Sequence, residues 1–216
     1  DYSAVFSIDV EDWYHGIELP RSRWAEQERR ISLGVEAILG LLERHRTRGT
    51  FFTLGWIAEH HPDVVKRIAA AGHELASHGY SHEKVYDLKP GEFRSEVRRT
   101  KELLEAVGGK PVRAHRSPYF SITKSSLWAL EILRDEGYDY DCSISPVETW
   151  RYGIAGSPDR AYRIAELGLV EFPVSTITVL SKKLGLGGAY FRILPSLVSE
   201  RGLDRGNIAL QAEHQV

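Results

Sequence analysis

The sequence of 216 residues has one cysteine, no methionine and no long apolar run. The lone cysteine, Cys142, cannot form a disulfide within the chain, so cysteine usage leaves the redox compartment open. No stretch approaches the roughly 18 apolar residues that a membrane-spanning helix needs. Because the chain starts at Asp1 and lacks methionine, its N-terminus is expected to have been removed, and the absence of a visible targeting segment excludes little.

Neither sign of charge dominates, since the formal net charge at pH 7 is −2. Proteins that bind nucleic acid through phosphate contacts are usually basic, so that class is disfavoured. Hydrophobic residues make up 42% of the chain, which is enough to bury a substantial core. The length, together with the absence of internal repeats and of Pro/Ser-rich linkers, predicts a single domain over residues 1–216.

Apolar, β-rich runs alternate with helical patterns along the chain, which is typical of parallel strands joined by helical crossovers. About seven such units predict an α/β fold with a closed or nearly closed barrel rather than an open sheet. Ser32 and Thr123 are the predicted N-caps of the first and last helices. The predicted helices cover 32–49, 62–72, 90–108 and 123–137. The predicted strands cover 4–10, 49–55, 73–78, 112–118, 139–145, 169–176 and 206–214.

Polar residues fall at the ends of four of these strands. They are the acidic segment Asp9–Asp12, His78, Arg116 and Asp141. In a barrel of parallel strands the chemistry lies at the C-terminal ends of the strands. These four places are therefore expected to meet in one functional site.

The stretch "HELASHGYSH" (73–82) places His78 and His82 four residues apart, with Gly79 between them. A strand leads in and the glycine interrupts a helix, so a loop is expected whose two imidazoles reach one ion. Two histidines, one carboxylate and open positions suit a catalytic zinc or a similar divalent ion.

The stretch "SIDVEDWYH" (7–15) places three acids, Asp9, Glu11 and Asp12, at the end of an apolar strand. Carboxylates crowded at a strand end repel one another, and a cation or a shared proton offsets the repulsion. One carboxylate on a metal ion and another acting as a proton acceptor would use this crowding.

The stretch "RAHRSPYF" (113–120) supplies a permanent cation, Arg116, whose planar fork can grip a carboxylate. Pro118 stiffens the loop, and the backbone N–H of Tyr119 is expected to point into the pocket. Aromatic side chains beside acids suit sugar binding, because flat apolar faces stack on sugar rings. Trp13, Pro118 and Trp150 are the predicted substrate contacts.

Taken in order, these motifs resemble the polysaccharide deacetylases of carbohydrate esterase family 4. They are an Asp-rich strand end, His-x-x-x-His, Arg-x-Pro-Tyr and Asp-x-Asp-x-Ser. The resemblance covers residues 4 to about 176, and "EFPVST" and "GGAYFRILP" resemble the subgroup found in exopolysaccharide gene systems. It implies a distorted (β/α) barrel and a hydrolase that removes N-acetyl groups from amino sugars in a polysaccharide or oligosaccharide.

The resemblance also implies roles for individual residues. Asp9 matches the catalytic base and His78 and His82 match the metal ligands. Arg116 would hold Asp9, helped by an acid such as Asp141, and the Tyr119 N–H would help to bind the oxyanion. The implied ion is Zn²⁺, with Co²⁺ or Ni²⁺ as alternatives. The implied setting is the envelope or cytoplasm of a bacterium that produces an exopolysaccharide.

Two departures from the family pattern leave alternatives open. The acids read Asp9-Val10-Glu11-Asp12 instead of two adjacent aspartates, so either Glu11 or Asp12 could be the third ligand. The family's general acid is a histidine near the C-terminus, in the subgroup within His-Pro-Trp-Glu, and His214 has no such continuation. Either His214 serves or the acid is missing. An amide or imide hydrolase on the same barrel and a non-catalytic carbohydrate-binding protein are the competing functions.

Overall fold

The computed structural model describes residues 6–17, 19–147, 149–179 and 182–185. They form an α/β fold, as predicted, around a mostly parallel seven-stranded sheet, and a separate two-stranded hairpin follows. The strands of the sheet are β1 Phe6–Val10, β2 Gly49–Thr53, β3 Glu74–Ser77, β4 Ala114–His115, β5 Tyr140–Asp141, β6 Tyr162–Ile164 and β7 Leu169–Glu171. The hairpin consists of β8 Thr176–Val179 and β9 Lys182–Gly185.

The strand order in the sheet is β1-β2-β3-β4-β5-β7-β6, and only β6 runs antiparallel to its neighbour. Consecutive parallel strands lie side by side, as right-handed crossovers in a barrel-like fold require. Within the described ranges, β1 and β6 are the two edges and no strand joins them into a closed barrel. The predicted strand over 206–214 lies outside the described residues.

Five α-helices accompany the strands in the described ranges. They are α1 Ile31–Arg44, α2 Gly55–His60, α3 Pro62–Ala70, α4 Pro90–Gly108 and α5 Trp128–Asp135. The four predicted helices match α1, α3, α4 and α5, whereas the six-residue α2 was not predicted. No helix in the described part of the chain combines the length and apolar character needed to cross a bilayer.

Of the two predicted N-caps, Thr123 is found at a helix start and Ser32 is not. Thr123 caps a short 3-10 turn, Lys124–Ser126, that leads into α5, and its backbone N–H donates to Ser126 Oγ at 2.9 Å. Ser32, in contrast, lies inside the first turn of α1 and is not its cap. The first N–H groups of α1 donate instead to the carboxylate of Asp12.

The apolar core joins β1, β2 and β3 to the helices packed on them. Its large, fully buried side chains include Ile8, Phe51, Ile57, Ile68, Leu104, Ile122, Leu133 and Tyr138. Close packing of this kind fixes the strands relative to one another. The C-terminal ends of β1, β2, β3 and β4 are consequently held along one edge of the sheet.

Candidate metal centre

Three side chains meet at this edge. Glu11, His78 and His82 bring one carboxylate oxygen and two imidazole nitrogens within 4.8 Å of one another. Glu11 follows β1 directly and His78 follows β3 directly, so the parallel sheet places them in the same row. All three are largely buried, and Glu11 Oε2 lies 2.6 Å from His82 Nε2.

His78 is held in the orientation that a metal ligand needs. Its Nδ1–H donates to the carbonyl of Arg116 at 2.8 Å, so the lone pair of the ring is on Nε2. A histidine whose second nitrogen donates to a carbonyl is the usual arrangement in metal sites. Burial lowers the pKa of His78, which favours the neutral form that binds a cation.

His82 and Glu11 form a charged pair. Burial opposes the charge on His82, but the Glu11 carboxylate outweighs it and raises the pKa of His82. Burial also opposes the charge on Glu11 and by itself would raise its pKa. The two imidazoles outweigh this effect, and the pKa of Glu11 lies below its ordinary value. A divalent ion would replace the proton of His82 as the partner of Glu11.

The loop between the two histidines is clamped by backbone hydrogen bonds. Gly55 N–H, at the start of α2, donates to the Gly79 carbonyl at 2.9 Å. A side chain on Gly55 would collide with the ring of Tyr80 and with Thr100 on α4, so only glycine permits this approach. From α4, Glu96 Oε2 accepts the N–H groups of Tyr80 and Ser81 at 3.0 and 2.8 Å.

Asp9 lies beside the three ligands, one strand residue before the end of β1. Arg116 donates from Nη1 to Asp9 Oδ1 at 2.8 Å and from Nη2 to Ser7 Oγ at 2.8 Å, and all three residues are buried. The negative charge of Asp9 partly offsets the burial that lowers the pKa of His78, and it adds to the effect of Glu11 that raises the pKa of His82. The expected contact between Arg116 and Asp9 is therefore present in the structure.

Asp12, the alternative third ligand, points elsewhere. Its Oδ2 accepts the N–H groups of Arg30 and Ile31 at 2.8 and 3.0 Å, and its Oδ1 accepts that of Trp13 at 3.0 Å. The carboxylate thus satisfies the N-terminus of α1, where a negative charge is also favoured by the helix dipole. Of the two acids that the sequence left open, only Glu11 joins the histidines.

Asp141, the acid expected to help Arg116, makes its hydrogen bonds to other residues. It lies on β5 opposite His115, whose Nδ1–H donates to Asp141 Oδ1 at 2.8 Å, and the Ser143 hydroxyl donates to the same oxygen at 2.7 Å. Successive residues of a strand face opposite sides, so His115 and Asp141 lie behind the sheet face that carries Arg116. Asp141 reaches Arg116 only through its charge.

Tyr119 and Pro118 adjoin the site. The Tyr119 ring lies 4.6 Å from the ring of His82, and its backbone has a left-handed φ of 56°. Buried Pro118 packs against Gly79, in the loop between the histidines. The oxyanion role of the Tyr119 N–H stays a prediction.

The remaining predicted residues are spread more widely. Trp13 is 38% exposed and its indole N–H donates to the Glu28 carbonyl at 3.1 Å. Trp150 is 90% exposed and is not packed against the three ligands. His214 lies outside the described residues, so its role as a general acid is a prediction from sequence alone.

The donor set fits a divalent cation. Glu11 Oε2 and His82 Nε2 lie 2.6 Å apart, and His78 keeps the lone pair on its Nε2 because its Nδ1–H donates to the Arg116 carbonyl. One carboxylate and two imidazoles, with room for further ligands, is the composition of catalytic zinc sites. Arg116 and Asp9 neutralise each other and do not add a positive charge that would repel the ion.

Sequence reasoning missed two residues that shape this site. Ser7, which binds Arg116, could have been found because it shares a strand face with Asp9 two residues later. Nothing in the sequence distinguishes Glu96, since it lies on an amphipathic helix with many charged residues. Only the packing of α4 against the histidine loop singles it out.

The family model described as polysaccharide deacetylase matches residues 31–140, and a domain of unknown function, DUF3473, matches residues 142–213. A peptidoglycan-N-acetylglucosamine deacetylase of Bacillus cereus is 39% identical over 95 residues, which are 44% of this chain and 34% of that protein. A chitooligosaccharide deacetylase of Bradyrhizobium is 28% identical over 97 residues, which are 44% of this chain and 42% of that protein.

Among solved structures, a Mycobacterium smegmatis protein assigned to the polysaccharide deacetylases is similar with a TM-score of 0.70 and 25% identity. That similarity covers 96% of this chain and 75% of the other. The chain spans less than half the length of the curated relatives above.

Proposed function

Because this chain belongs to the polysaccharide deacetylase family, we propose that it is a metal-dependent hydrolase that removes N-acetyl groups from amino sugars in a polysaccharide. The observation that carries this proposal is the Glu11–His78–His82 group beside the Asp9–Arg116 pair. The relatives named for action on peptidoglycan and on chitooligosaccharides support an N-acetylglucosamine unit as the substrate.

We propose Zn²⁺ as the ion, with Co²⁺ or Ni²⁺ as alternatives, held by Glu11, His78 and His82. A divalent ion in such a site supplies Lewis acidity, which polarises a carbonyl and lowers the pKa of a water molecule. The two imidazoles are already oriented by the Arg116 carbonyl and the histidine loop. Little reorganisation would therefore accompany binding.

Asp9 is the proposed general base. Arg116 holds its carboxylate at 2.8 Å, and this carboxylate would accept a proton from the attacking water. The Tyr119 N–H would donate to the oxyanion that forms on the acetamide oxygen. His214 is the proposed donor of a proton to the departing amine. The products are acetate and a free amino sugar.

The experiment that tests this proposal is acetate release from N-acetylglucosamine oligomers by the metal-loaded protein, together with metal analysis. Asp9→Asn is expected to lower kcat by about 100- to 10 000-fold while the ion stays bound, because an amide cannot accept the proton and the three ligands are unchanged. His78→Ala is expected to lose both the ion and the activity.

Asp63→Asn and His45→Ala, at exposed positions in α3 and just after α1, are the matched controls and should behave as wild type. Loss of the ion in Asp9→Asn would mean that Asp9 is a ligand. Full activity in His78→Ala would refute the metal site.

One alternative has a specific observation in its favour. The general acid of the subgroup is a histidine within His-Pro-Trp-Glu, whereas His214 is followed by Gln215 and Val216. A protein that kept the fold and lost this acid would bind N-acetylated sugars without releasing acetate, even when zinc is supplied. The same acetate assay, run beside a binding titration, separates the two functions.

The setting of the reaction is also a proposal. The "EFPVST" and "GGAYFRILP" stretches resemble the exopolysaccharide-associated subgroup, which supports a polymer of that kind in a bacterium.

A further inference from the structure

One peptide group just after β4 contacts the metal centre at one end and a buried hydrogen-bond chain at the other. Its carbonyl, that of Arg116, accepts His78 Nδ1–H at 2.8 Å. Its N–H, that of Ser117, donates to Ser143 Oγ at 2.8 Å. In this trans peptide, which we call the 116–117 peptide, the carbonyl and the N–H point in opposite directions from one plane. The position of the carbonyl that His78 meets therefore depends on the contact with Ser143.

Ser143 is held in turn by Asp141. The Ser143 hydroxyl donates to Asp141 Oδ1 at 2.7 Å, and the Ser143 backbone N–H donates to Asp141 Oδ2 at 3.2 Å. His115 Nδ1–H donates to the same Oδ1 at 2.8 Å. Because the hydroxyl proton goes to the carboxylate, the lone pairs of Ser143 Oγ are left for the Ser117 N–H. All four residues are buried, so water does not compete for these bonds.

This contact lies where the regular pairing of β4 and β5 ends. The Cys142 N–H donates to the His115 carbonyl at 2.8 Å, as in a parallel ladder. In a ladder that continued, the Ser117 N–H would meet the carbonyl of Cys142. It donates to a side chain instead. The bond therefore depends on the identity of residue 143, which a bond to a backbone carbonyl would not.

We propose that Ser143 is a positioning residue for the metal ligand His78, acting through the 116–117 peptide and held in place by Asp141. The inference deepens the proposed function and rests on its metal site. A hydrogen bond donated by the N–H polarises the carbonyl of the same peptide, which becomes a better acceptor. This carbonyl holds the His78 ring so that the lone pair on Nε2 faces the ion. Metal-bound histidines depend on such partners for their orientation and basicity.

The zinc affinity of the whole chain, measured by competition with a chromophoric chelator, tests this role. Ser143→Ala removes the acceptor of the Ser117 N–H but none of the three metal ligands. We expect its zinc affinity to be roughly tenfold weaker than that of wild type, which is the lower end of the effect of groups that orient metal ligands. Ser143→Thr keeps the hydroxyl and should recover most of the affinity.

Ser126→Ala is the matched control. Ser126 is also fully buried, and its Oγ likewise accepts a backbone N–H, that of Thr123 at 2.9 Å. The same hydroxyl donates to the Ser121 carbonyl at 3.0 Å. Both alanine variants should therefore lower the Tm of the zinc-free protein to a similar extent. Only Ser143→Ala should also weaken zinc binding, because only Ser143 is connected to a metal ligand.

Cobalt substitution gives a second readout, which a loss of stability alone does not change. The visible absorption bands of bound Co²⁺ depend on the geometry and strength of its ligands. At saturating Co²⁺ we expect the band positions or intensities of Ser143→Ala to differ from those of wild type, because the His78 ring is held less firmly. The spectrum of Ser126→Ala should match that of wild type.

A failure of this inference can be told apart from a failure of the proposed function. Wild-type zinc affinity and an unchanged cobalt spectrum in Ser143→Ala would overturn the inference alone, provided that the wild-type protein binds zinc and releases acetate. An equal loss of zinc affinity in Ser126→Ala would also overturn it, because the loss would then follow stability. A wild-type protein that binds no zinc would refute the metal site, and this inference with it.

Discussion

Asp141 and Glu171 are two fully buried carboxyl groups on neighbouring strands, directly opposite each other in the sheet. Asp141 accepts hydrogen bonds from His115 and Ser143, and Glu171 accepts the Ile144 N–H at 2.9 Å. Burial, and then the charge of Asp141, raise the pKa of Glu171 well above its ordinary value. Glu171 therefore carries the proton that lets the pair be buried.

The raised pKa of Glu171 predicts how the free energy of unfolding depends on pH. In the unfolded chain Glu171 ionises near pH 4.5 but in the folded protein only at higher pH, so its contribution to stability falls as pH rises from 4.5 to the folded pKa. Glu171→Gln keeps an acceptor for Ile144 and cannot ionise. At pH 8 we expect the variant to be more stable than wild type by about 1–2 kcal/mol, and at pH 4.5 about equally stable.

Denaturant unfolding at the two pH values measures this difference. Glu43→Gln, at an exposed position of α1, is the control and should follow wild type at both. A destabilisation by Glu171→Gln that is the same at pH 4.5 and pH 8 would show that Glu171 is ionised in the fold.

At the residue scale, the sequence located Asp9, His78, His82 and Arg116 but could not choose between Glu11 and Asp12. The alternation of strand side chains would have placed Glu11 on the side of Asp9. That rule applies only within a strand, and both acids follow the end of β1 at Val10. The choice depends on α1, whose N-terminus takes Asp12 through contacts 18 and 19 residues away along the chain.

At the scale of elements, α4 supports the metal centre through one side chain. The two histidines are separated by Gly79, Tyr80 and Ser81, and Glu96 accepts hydrogen bonds from the last two of these. The loop has a left-handed backbone at both Gly79 and His82, and at His82, which is not a glycine, this conformation needs support from the surrounding structure. Glu96 is thus a positioning residue for the ligands.

Glu96→Ala is expected to weaken zinc binding roughly tenfold, the usual cost of losing a group that orients metal ligands. Glu96→Gln keeps a carbonyl acceptor and should recover part of the affinity. Competition with a chromophoric chelator measures both. Glu102→Ala, exposed on the same helix, is the control. Wild-type affinity in Glu96→Ala would show that the loop holds its shape without α4.

Helices with strong periodicity were predictable, whereas features set by distant contacts were not. The pattern over 90–108 gave α4 with its bounds unchanged, because Pro90 starts the helix and Gly109 follows its end. The N-terminus of α1 was assigned to Ser32 because local rules do not detect a cap from Asp12. α2 has only six residues, too few for its periodicity to stand out.

At the scale of the whole molecule, parallel strand order explains how residues distant along the chain form one site. β1, β3 and β4 end at the same edge of the sheet, so Glu11, His78 and Arg116 meet although more than 100 residues separate the first from the last. The alternation of strands and helices along the sequence was sufficient to predict that these residues lie in one site. It could not predict that β6 runs antiparallel, since Tyr162–Ile164 is too short to show its direction.

The central claim is that Glu11, His78 and His82 bind one divalent ion beside Asp9. Anomalous diffraction from zinc-loaded crystals tests it directly. We predict a single strong peak within about 2.0–2.2 Å of a Glu11 oxygen and of Nε2 of both histidines, with Asp12 still at the start of α1. A peak coordinated by Asp12, or no peak among these three side chains, would contradict the account.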